Sequence, residues 1–292
     1  MYISEIFKSK KPVLSFEVFP PKKTENLEKV KSTVTEISKI KVDYMSVTYG
    51  AGGSTSKLTP ELAGYMQNEL SVTALSHLTC VSLTRPQVKE MLETLKSRGI
   101  ENILALRGDI PEGAEFPLPD GYRYASELTE DIKKFGGFCV GGACYPECHP
   151  DSSNIDEDID NLKRKVDAGA DFLVTQMFFD NNAFYDFRDR CVKKGINVPI
   201  TAGLMPLTSA NQVERMCVLS GGASMPSAFT KILSRNINNP EALRQAGIAY
   251  VINQIFELVS NDIDGIHIYT MNNPDTAAKI VAAVNGLFDI GE

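Results

Sequence analysis

The stretch Leu104-Ala-Leu-Arg-Gly-Asp-Ile-Pro111 joins an apolar run to an abrupt polar break. Residues 103–106 have the pattern of a buried strand, and Pro111 prevents further strand pairing because it has no backbone N–H. Between them, Arg107-Gly108-Asp109 places a cation, a closely approachable backbone and a carboxylate at the strand end, an arrangement suited to a ligand. An ordinary strand followed by a turn would explain the same tripeptide. The rest of the chain has to decide between the two interpretations.

On both sides of this stretch, strand-like segments alternate with helical ones. The pattern predicts strands over residues 13–19, 44–49, 72–80, 102–109, 139–145, 172–178, 199–204 and 265–270. It predicts helices over residues 27–40, 60–70, 85–98, 126–135, 156–168, 182–194, 211–219, 228–233, 241–259 and 275–288. About eight strands, each followed by a helix, predict an α/β fold, a single-domain (β/α)8 TIM barrel spanning residues 1–292, with an open doubly wound parallel sheet as the alternative.

Composition excludes several classes of protein. The chain is 43% hydrophobic and 23% charged, as in ordinary globular proteins, and a net charge of -7 does not favour nucleic acid as a partner. No apolar run approaches the ~20 residues that span a bilayer, and the first residues are too polar for a signal peptide. We therefore expect a cytoplasmic protein without a membrane partner, whose six scattered cysteines are free thiols.

Polar side chains occur near the carboxyl end of nearly every predicted strand, which is where barrels carry their chemistry. In chain order these are Glu17, Thr48 with Tyr49, His77 with Thr79, Arg107 with Asp109, Tyr145 with His149, Gln176, and Tyr269. Single residues of this kind arise by chance in structural barrels. Two carboxylates and two histidines in such a series favour an active site.

Glu17 lies between large apolar residues in Ser-Phe-Glu-Val-Phe19. Burial disfavours a charged carboxylate, so this position suits a general acid. A surface-facing strand position or a buried ion pair is the alternative. Asp109, beside Arg107, is expected to stay ionised, and two carboxylates in different environments often divide acid and electrostatic roles.

A second candidate site is the face formed by Asp158, Asn161, Arg164 and Lys165 on one predicted helix. Such a face is commonly just solvated. It would also suit a ligand with phosphates and a ribose, because arginine and lysine bind phosphate.

Several other functional motifs are absent from the sequence. Cys144-Tyr-Pro-Glu-Cys-His149 is one residue too long for haem attachment, and no second cysteine pair has zinc spacing. Metalloprotease, nucleophile-elbow and P-loop motifs are missing, so we expect no metal. The Rossmann glycine motif is missing too, so a nucleotide cofactor would be held in another manner.

Eight segments, in this order, resemble the methylenetetrahydrofolate reductases of the short, bacterial catalytic-domain type, over essentially the whole chain. They are Ser15-Phe-Glu-Val-Phe-Pro-Pro21, Ser46-Val-Thr-Tyr-Gly-Ala51, His77-Leu-Thr-Cys80, Ala105-Leu-Arg-Gly-Asp-Ile-Pro111, Ala143-Cys-Tyr-Pro-Glu-Cys-His-Pro150, Asn161-Leu-Lys-Arg-Lys-Val-Asp-Ala-Gly-Ala170, Thr175-Gln-Met-Phe-Phe-Asp180 and His267-Ile-Tyr-Thr270.

The resemblance implies an oxidoreductase of one-carbon metabolism, such as methionine biosynthesis. It implies a flavoprotein with FAD at the top of the barrel, which reduces 5,10-methylenetetrahydrofolate to 5-methyltetrahydrofolate with electrons from NADH or NADPH. Glu17 matches the family's general acid, Asp109 an aspartate near flavin and pterin, and Gln176 a glutamine that binds folate. The resemblance adds Gln212 as a folate contact, and we place Tyr269 in the substrate site as well.

The resemblance also implies a set of cofactor contacts that includes the Asp158 face. The set is Thr48 (toward nicotinamide), Tyr49, Ala51, His77, Arg107, Gly108, Asp109, Ala125, Tyr145, His149, Ser152, Asp158, Asn161, Arg164 and Lys165.

Three positions depart from the family pattern. Ser152 stands for an alanine, Met216 for a phenylalanine expected to stack on folate or NADH, and Asn273 for an arginine expected to hold the folate tail. We therefore consider two electron sources: NAD(P)H, or a protein partner such as a ferredoxin or an iron–sulfur subunit. We also expect a homo-oligomer. A flavin-free barrel lyase would need a strand-end lysine or metal ligands, and a non-catalytic barrel subunit could dispense with Glu17 and Asp109.

Overall fold

The chain closes into one parallel barrel of eight strands. The structure is a computed structural model that describes residues 1–49, 58–110, 113–219 and 224–288. Each strand pairs with the next, and the first pairs with the last, so the open doubly wound sheet is excluded. The strands are β1 (Val13–Val18), β2 (Tyr44–Val47), β3 (Ala74–Thr79), β4 (Asn102–Leu106), β5 (Cys139–Cys144), β6 (Phe172–Thr175), β7 (Ile200–Leu204) and β8 (Gly265–Tyr269).

Helices follow the strands and cover the outside of the barrel, as the sequence pattern predicts, and one further helix precedes the first strand. They are α1 (Ile3–Ser9), α2 (Leu27–Ser38), α3 (Leu58–Asn68), α4 (Arg85–Ser97), α5 (Ala125–Phe135), α6 (Ile155–Asp167), α7 (Asn181–Lys193), α8 (Ala210–Leu219), α9 (Ser227–Asn236), α10 (Pro240–Ser260) and α11 (Pro274–Val284). Short 3-10 turns occupy Thr24–Asn26 and Asn285–Leu287. On the sides of these helices that face the barrel, most apolar side chains are buried against the outward-facing residues of the strands.

Helix α1, which the sequence pattern did not predict, closes the amino-terminal end of the barrel. Ile3 and Ile6 pack in one cluster with residues of the barrel interior, including Tyr44 and Phe172. The backbone N–H of Ile3 donates to Asn102 Oδ1 at 2.9 Å, which ties the helix to the first residue of β4. With this end filled, the carboxyl-terminal end is left for a ligand.

Strand register sets which side chains share a level inside the barrel. Glu17 on β1 is paired with Ser46 on β2 and with Tyr269 on β8. Lower in the barrel, Gly141 leaves room for Phe172, since a Cβ atom there would lie 2.6 Å from the phenylalanine ring. The interior is therefore apolar and packed near α1, and polar toward the carboxyl ends of the strands.

Three findings concern the cysteines, metal ions and the membrane. The five cysteines whose side chains are described, Cys80, Cys139, Cys144, Cys148 and Cys191, are free thiols. Across the described residues, no group of histidine, cysteine and acidic side chains is arranged to hold a metal ion. None of the helices in the described ranges combines the length and apolarity needed to cross a bilayer.

Candidate active site

Glu17 lies at the carboxyl end of the barrel interior with its side chain only 9% exposed. Its Oε2 atom is 3.5 Å from His77 Nε2 on β3 and 3.7 Å from His267 Nε2 on β8. Burial lowers the pKa of His77 to about 4, an effect that the Glu17 charge opposes, so this imidazole is neutral near pH 7. Glu17 is therefore not at a surface-facing strand position, and its buried carboxyl lies between two imidazoles.

His267 is a buried neighbour of Glu17 that the strand-end survey missed. Its Nδ1 atom shares a 2.8 Å hydrogen bond with Ser15 Oγ, and its ring is 1% exposed. Its position two residues before Tyr269 on β8 puts it on the same, inward-facing side of the strand. The alternation of side chains along β8 could have identified His267 as inward-facing. How close His267 lies to Glu17 depends on the register of β8 with β1.

The backbone at Glu17 is held by the segment that follows β8. The Thr270 hydroxyl, itself 1% exposed, donates to the Glu17 carbonyl at 2.6 Å. The Asn272 side chain accepts from the Phe19 N–H at 2.8 Å and donates to the Phe19 carbonyl at 2.9 Å. Neither residue was among the sequence candidates.

The Arg107-Gly108-Asp109 turn follows directly on the end of β4. Gly108 has φ +87°, and a Cβ atom there would lie 2.9 Å from a Val81 methyl group. Only glycine fits this backbone without displacement. Asp109 is exposed beyond it, and Pro111 lies outside the described residues.

Arg107 joins a polar cluster built by the loop between β5 and α6. Its Nη1 atom forms a 2.6 Å ion pair with Asp151, and this bond lowers the pKa of the Asp151 carboxyl. The His149 ring packs edge-on against Tyr145 at 4.6 Å. Burial, aided by the Asp109 charge, raises the pKa of the Tyr145 hydroxyl to about 12, so it stays protonated.

Asp158 holds this loop from the first turn of α6. Its carboxylate accepts from the His149 N–H and from the Ser152 hydroxyl, each at 3.1 Å. An alanine at position 152, the residue that the resemblance implies, would lack this bond within the loop.

The other members of the predicted helix face line up along α6. Arg164 donates to Asn161 at 2.6 Å, and both side chains are exposed. Lys165 is half-buried, and its Nζ donates to the Ala143 carbonyl at 2.5 Å. Burial lowers the pKa of Lys165, while the nearby Asp158 charge opposes that shift. Asp158 and Lys165 thus lie close to His149, on which the Arg107 charge also acts, whereas Asn161 and Arg164 bond to each other on the exposed face of α6.

Three of the predicted substrate residues come from the part of the chain that runs from β6 to β8. Gln176, half-buried, directly follows β6, and the Tyr269 hydroxyl donates to the Thr175 carbonyl at 2.8 Å. Gln212 lies in the first turn of α8 and accepts from Thr208 N–H at 2.8 Å. A cleft of about 300 Å³ includes Gln212 and Asn273 in its lining.

The structure places the remaining predicted residues in several environments. Thr48 and Tyr49 follow β2, whereas Ala51 lies outside the described residues. Ala125 begins α5 with its side chain buried. Met216 is 4% exposed in an apolar cluster with Phe179. At Asn273 the side chain accepts from the Thr276 N–H at 3.0 Å and so caps α11.

Comparison with known proteins matches residues 2–285 to the family model described as methylenetetrahydrofolate reductase. The chain belongs to the methylenetetrahydrofolate reductase family. It is 33% identical to the 5,10-methylenetetrahydrofolate reductase of Pectobacterium carotovorum, over 91% of this chain and 88% of that one. It is 35% identical to methylenetetrahydrofolate reductase (NADH) 1 of Arabidopsis thaliana over 98% of its own length, but spans only about half of that plant relative (50%).

A solved structure shares the fold of this family member at low sequence identity. It is an uncharacterised Clostridium thermocellum protein that binds two copies of 5-methyl-5,6,7,8-tetrahydrofolic acid, with a TM-score of 0.68 and 18% identity. The match covers 98% of this chain and 99% of that one. At this identity the likeness supports the barrel alone.

Proposed function

We propose that this chain reduces 5,10-methylenetetrahydrofolate to 5-methyltetrahydrofolate, with FAD as cofactor, NADH or NADPH as electron source and Glu17 as the general acid. Family membership supports the folate reaction. The observation that carries the proposal is the buried carboxyl of Glu17, which faces two imidazoles at the carboxyl end of the barrel. An acid shielded from water in this way can deliver a proton to a bound substrate.

The residues present fit an FAD molecule on two observations. His77 Nε2 is buried and has no hydrogen-bond partner among the described residues, so it is available to a ligand. Gly108 brings bare backbone to the barrel mouth beside Arg107, whose charge and that of Lys165 both act on His149, while Arg164 lies on the exposed face of α6. In our proposal these cations and His149 hold the pyrophosphate and ribose parts of the cofactor. FAD, when bound and reduced by the electron donor, would supply the hydride.

In our proposal the chain's own residues then divide the work on the folate. Glu17 holds its proton on a carboxyl oxygen and donates it to the substrate nitrogen that leaves when the five-membered ring opens. The exposed carboxylate of Asp109 stabilises the positive charge that develops on the folate. Gln176 orients the pterin by hydrogen bonds, and the cleft beside Gln212 takes the remainder of the substrate.

The electron donor is the second part of the proposal. The plant relatives carry NADH in their names, which supports a pyridine nucleotide. Met216, where the resemblance implies a phenylalanine that stacks on folate or NADH, is packed in an apolar cluster. A ferredoxin or an iron–sulfur partner is therefore kept as the alternative electron source. We also propose a cytoplasmic homo-oligomer, for which light scattering of the purified protein is the test.

The first experiment is anaerobic mixing of flavin-loaded protein with NADH and then NADPH, while the flavin absorbance is followed. Bleaching that methylenetetrahydrofolate reverses supports the folate reaction, the flavin and the pyridine-nucleotide donor together. No bleaching by either nucleotide, with recolouring by folate after chemical reduction, supports a protein donor. A flavin-loaded protein that folate never reoxidises contradicts the folate chemistry and points to a non-catalytic barrel, and a protein that binds no flavin contradicts the cofactor.

Glu17→Gln tests the acid directly, because it keeps size and polarity but has no proton of suitable acidity. The variant should retain flavin and its reduction, and lose folate reduction by at least about 100-fold. Undiminished reoxidation of its reduced flavin by the folate would remove Glu17 from the proposed role.

A further inference from the structure

Side chains continue the pairing of β8 with β1 beyond the last backbone pair. In the register of the two strands that pair is Glu17 with Tyr269. Beyond it, the Thr270 hydroxyl donates to the Glu17 carbonyl. The Asn272 side-chain amide accepts from the Phe19 N–H and donates to the Phe19 carbonyl. We refer to Thr270 and Asn272 together as the β8 clamp.

The conformation of this segment is costly without a compensating role. Met271 has φ +52° and Asn272 has φ +54°, in the left-handed region that residues other than glycine seldom adopt. The turn directs the Asn272 amide back onto β1, and the Asn272 N–H bonds to the Thr270 hydroxyl at 3.3 Å. Two consecutive left-handed residues are therefore held in place by the bonds that reach Phe19.

After Glu17 no further backbone pair joins β1 to β8 in the described residues, so on that side the chain is held by the clamp. Pro20 and Pro21 follow Phe19 and carry no N–H, so they cannot extend the strand ladder. On the β2 side, the Val18 carbonyl accepts from the Thr48 N–H at 3.1 Å. The Glu17 backbone is thus held between β2 and the clamp, and this sets the direction in which its carboxyl points.

The same segment also lines the cleft next to the barrel mouth. Thr270 and Met271 share that lining with Gln212. A ligand in the cleft therefore touches the turn whose hydrogen bonds fix Glu17. This contact links the substrate cleft to the acid through one short stretch of backbone.

We propose that Thr270 and Asn272 are positioning residues for Glu17, an inference that rests on the proposed folate reduction. They touch the backbone of the acid and not the reacting atoms. Their role is to keep the carboxyl within hydrogen-bond reach of the substrate nitrogen during proton transfer. A displacement of about 1 Å at a reacting group can cost about 100-fold in rate.

The test compares two half-reactions in purified, flavin-loaded protein. Thr270→Val removes the hydroxyl at nearly constant volume, Thr270→Ser restores it, and Asn272→Ala removes the amide. Folate-driven reoxidation of chemically reduced flavin should slow about 10- to 100-fold in Thr270→Val and Asn272→Ala, and recover in Thr270→Ser. The loss should appear in the maximal rate, with folate concentration dependence and the flavin spectrum unchanged.

Two further variants separate positioning from folding. Asn272→Gly also lacks the amide but relieves the left-handed backbone, so it should be folded and still slow. Asn239→Ala removes a helix-capping bond of α10 (Asn239 Oδ1 accepts from the Ala242 N–H at 3.2 Å) and should reoxidise at the wild-type rate.

Full reoxidation rates in Thr270→Val and Asn272→Gly would overturn the inference while leaving the proposed function intact. An equal loss of flavin binding and of folate-driven reoxidation would reduce the clamp to a structural role. A wild-type protein that never reoxidises with the folate would overturn the proposed function, and this inference with it.

Discussion

Replacing His77 with glutamine should flatten the dependence of stability on pH between pH 7 and pH 5. Burial lowers the pKa of His77 to about 4 in the folded protein, whereas an unfolded chain has a histidine pKa of about 6.5. Between these values the unfolded state binds more protons than the folded state. Stability therefore rises with pH through this window, and wild-type protein loses stability as the pH falls.

The size of the effect follows from the two pKa values. At pH 5 nearly all unfolded chains carry the proton and few folded ones do, which corresponds to a loss of about 2 kcal/mol relative to pH 7. The full difference, reached below pH 4, is about 3 kcal/mol. A glutamine has no titration in this range and should lack this contribution.

Urea unfolding of both proteins at pH 7 and pH 5, at matched flavin content, measures the difference. Titrating groups distant from His77 are common to both proteins, so their contributions cancel to first order. The wild type should lose about 2 kcal/mol more than the variant over this interval. Equal losses in the two proteins would refute the buried, neutral state assigned to His77.

Three other variants test separate parts of the site. Gly108→Ala should destabilise the protein by about 2–4 kcal/mol in thermal or urea unfolding, since it adds a clash to a left-handed φ; Gly113→Ala, with φ +74° and open space, should cost only about 1 kcal/mol. Asp151→Asn should change unfolding free energy by less than about 1 kcal/mol because the carboxylate is 58% exposed, and a larger loss would contradict a screened ion pair. Met216→Phe overfills a buried position and should lower stability by about 1–3 kcal/mol; unchanged stability would show that the cluster can expand, and a faster NADH-driven bleaching would show that an aromatic ring there aids the nucleotide.

The sequence was sufficient to predict the barrel because its segments are strongly periodic and alternate in type. Strand ends were extended too far where polar residues leave the sheet. The strand predicted over 102–109 ends at Leu106, since Arg107 and Gly108 form the turn that presents the site. Helix α1 was missed because its seven residues offer only two apolar pairs at helical spacing, Ile3 with Ile6 and Ile3 with Phe7.

The candidate site was predicted in part, and the reason is register. Residues at strand ends, such as Glu17 and Arg107, can be selected from sequence because any barrel places them at one mouth. His267 escaped notice because its approach to Glu17 depends on which residue of β8 lies opposite which residue of β1. The roles of Thr270 and Asn272 depend on a left-handed turn. Asparagine tolerates this conformation, but the sequence does not indicate that Met271 shares it or that the Asn272 amide reaches Phe19.

The candidate site has two parts, one built by neighbouring segments of the chain and one built by its first and last strands. Arg107, Tyr145, Asp158 and Lys165 come from β4 to α6, so a chain emerging from the ribosome contains all of them before its last third is made. Glu17 lies on the first strand, but the bond to its carbonyl comes from Thr270, 253 residues later. A nascent chain therefore contains the residues that we propose to hold the cofactor before it contains the segment that positions the proposed acid. The proposed proton donor would be fixed only after the final strand has paired with β1.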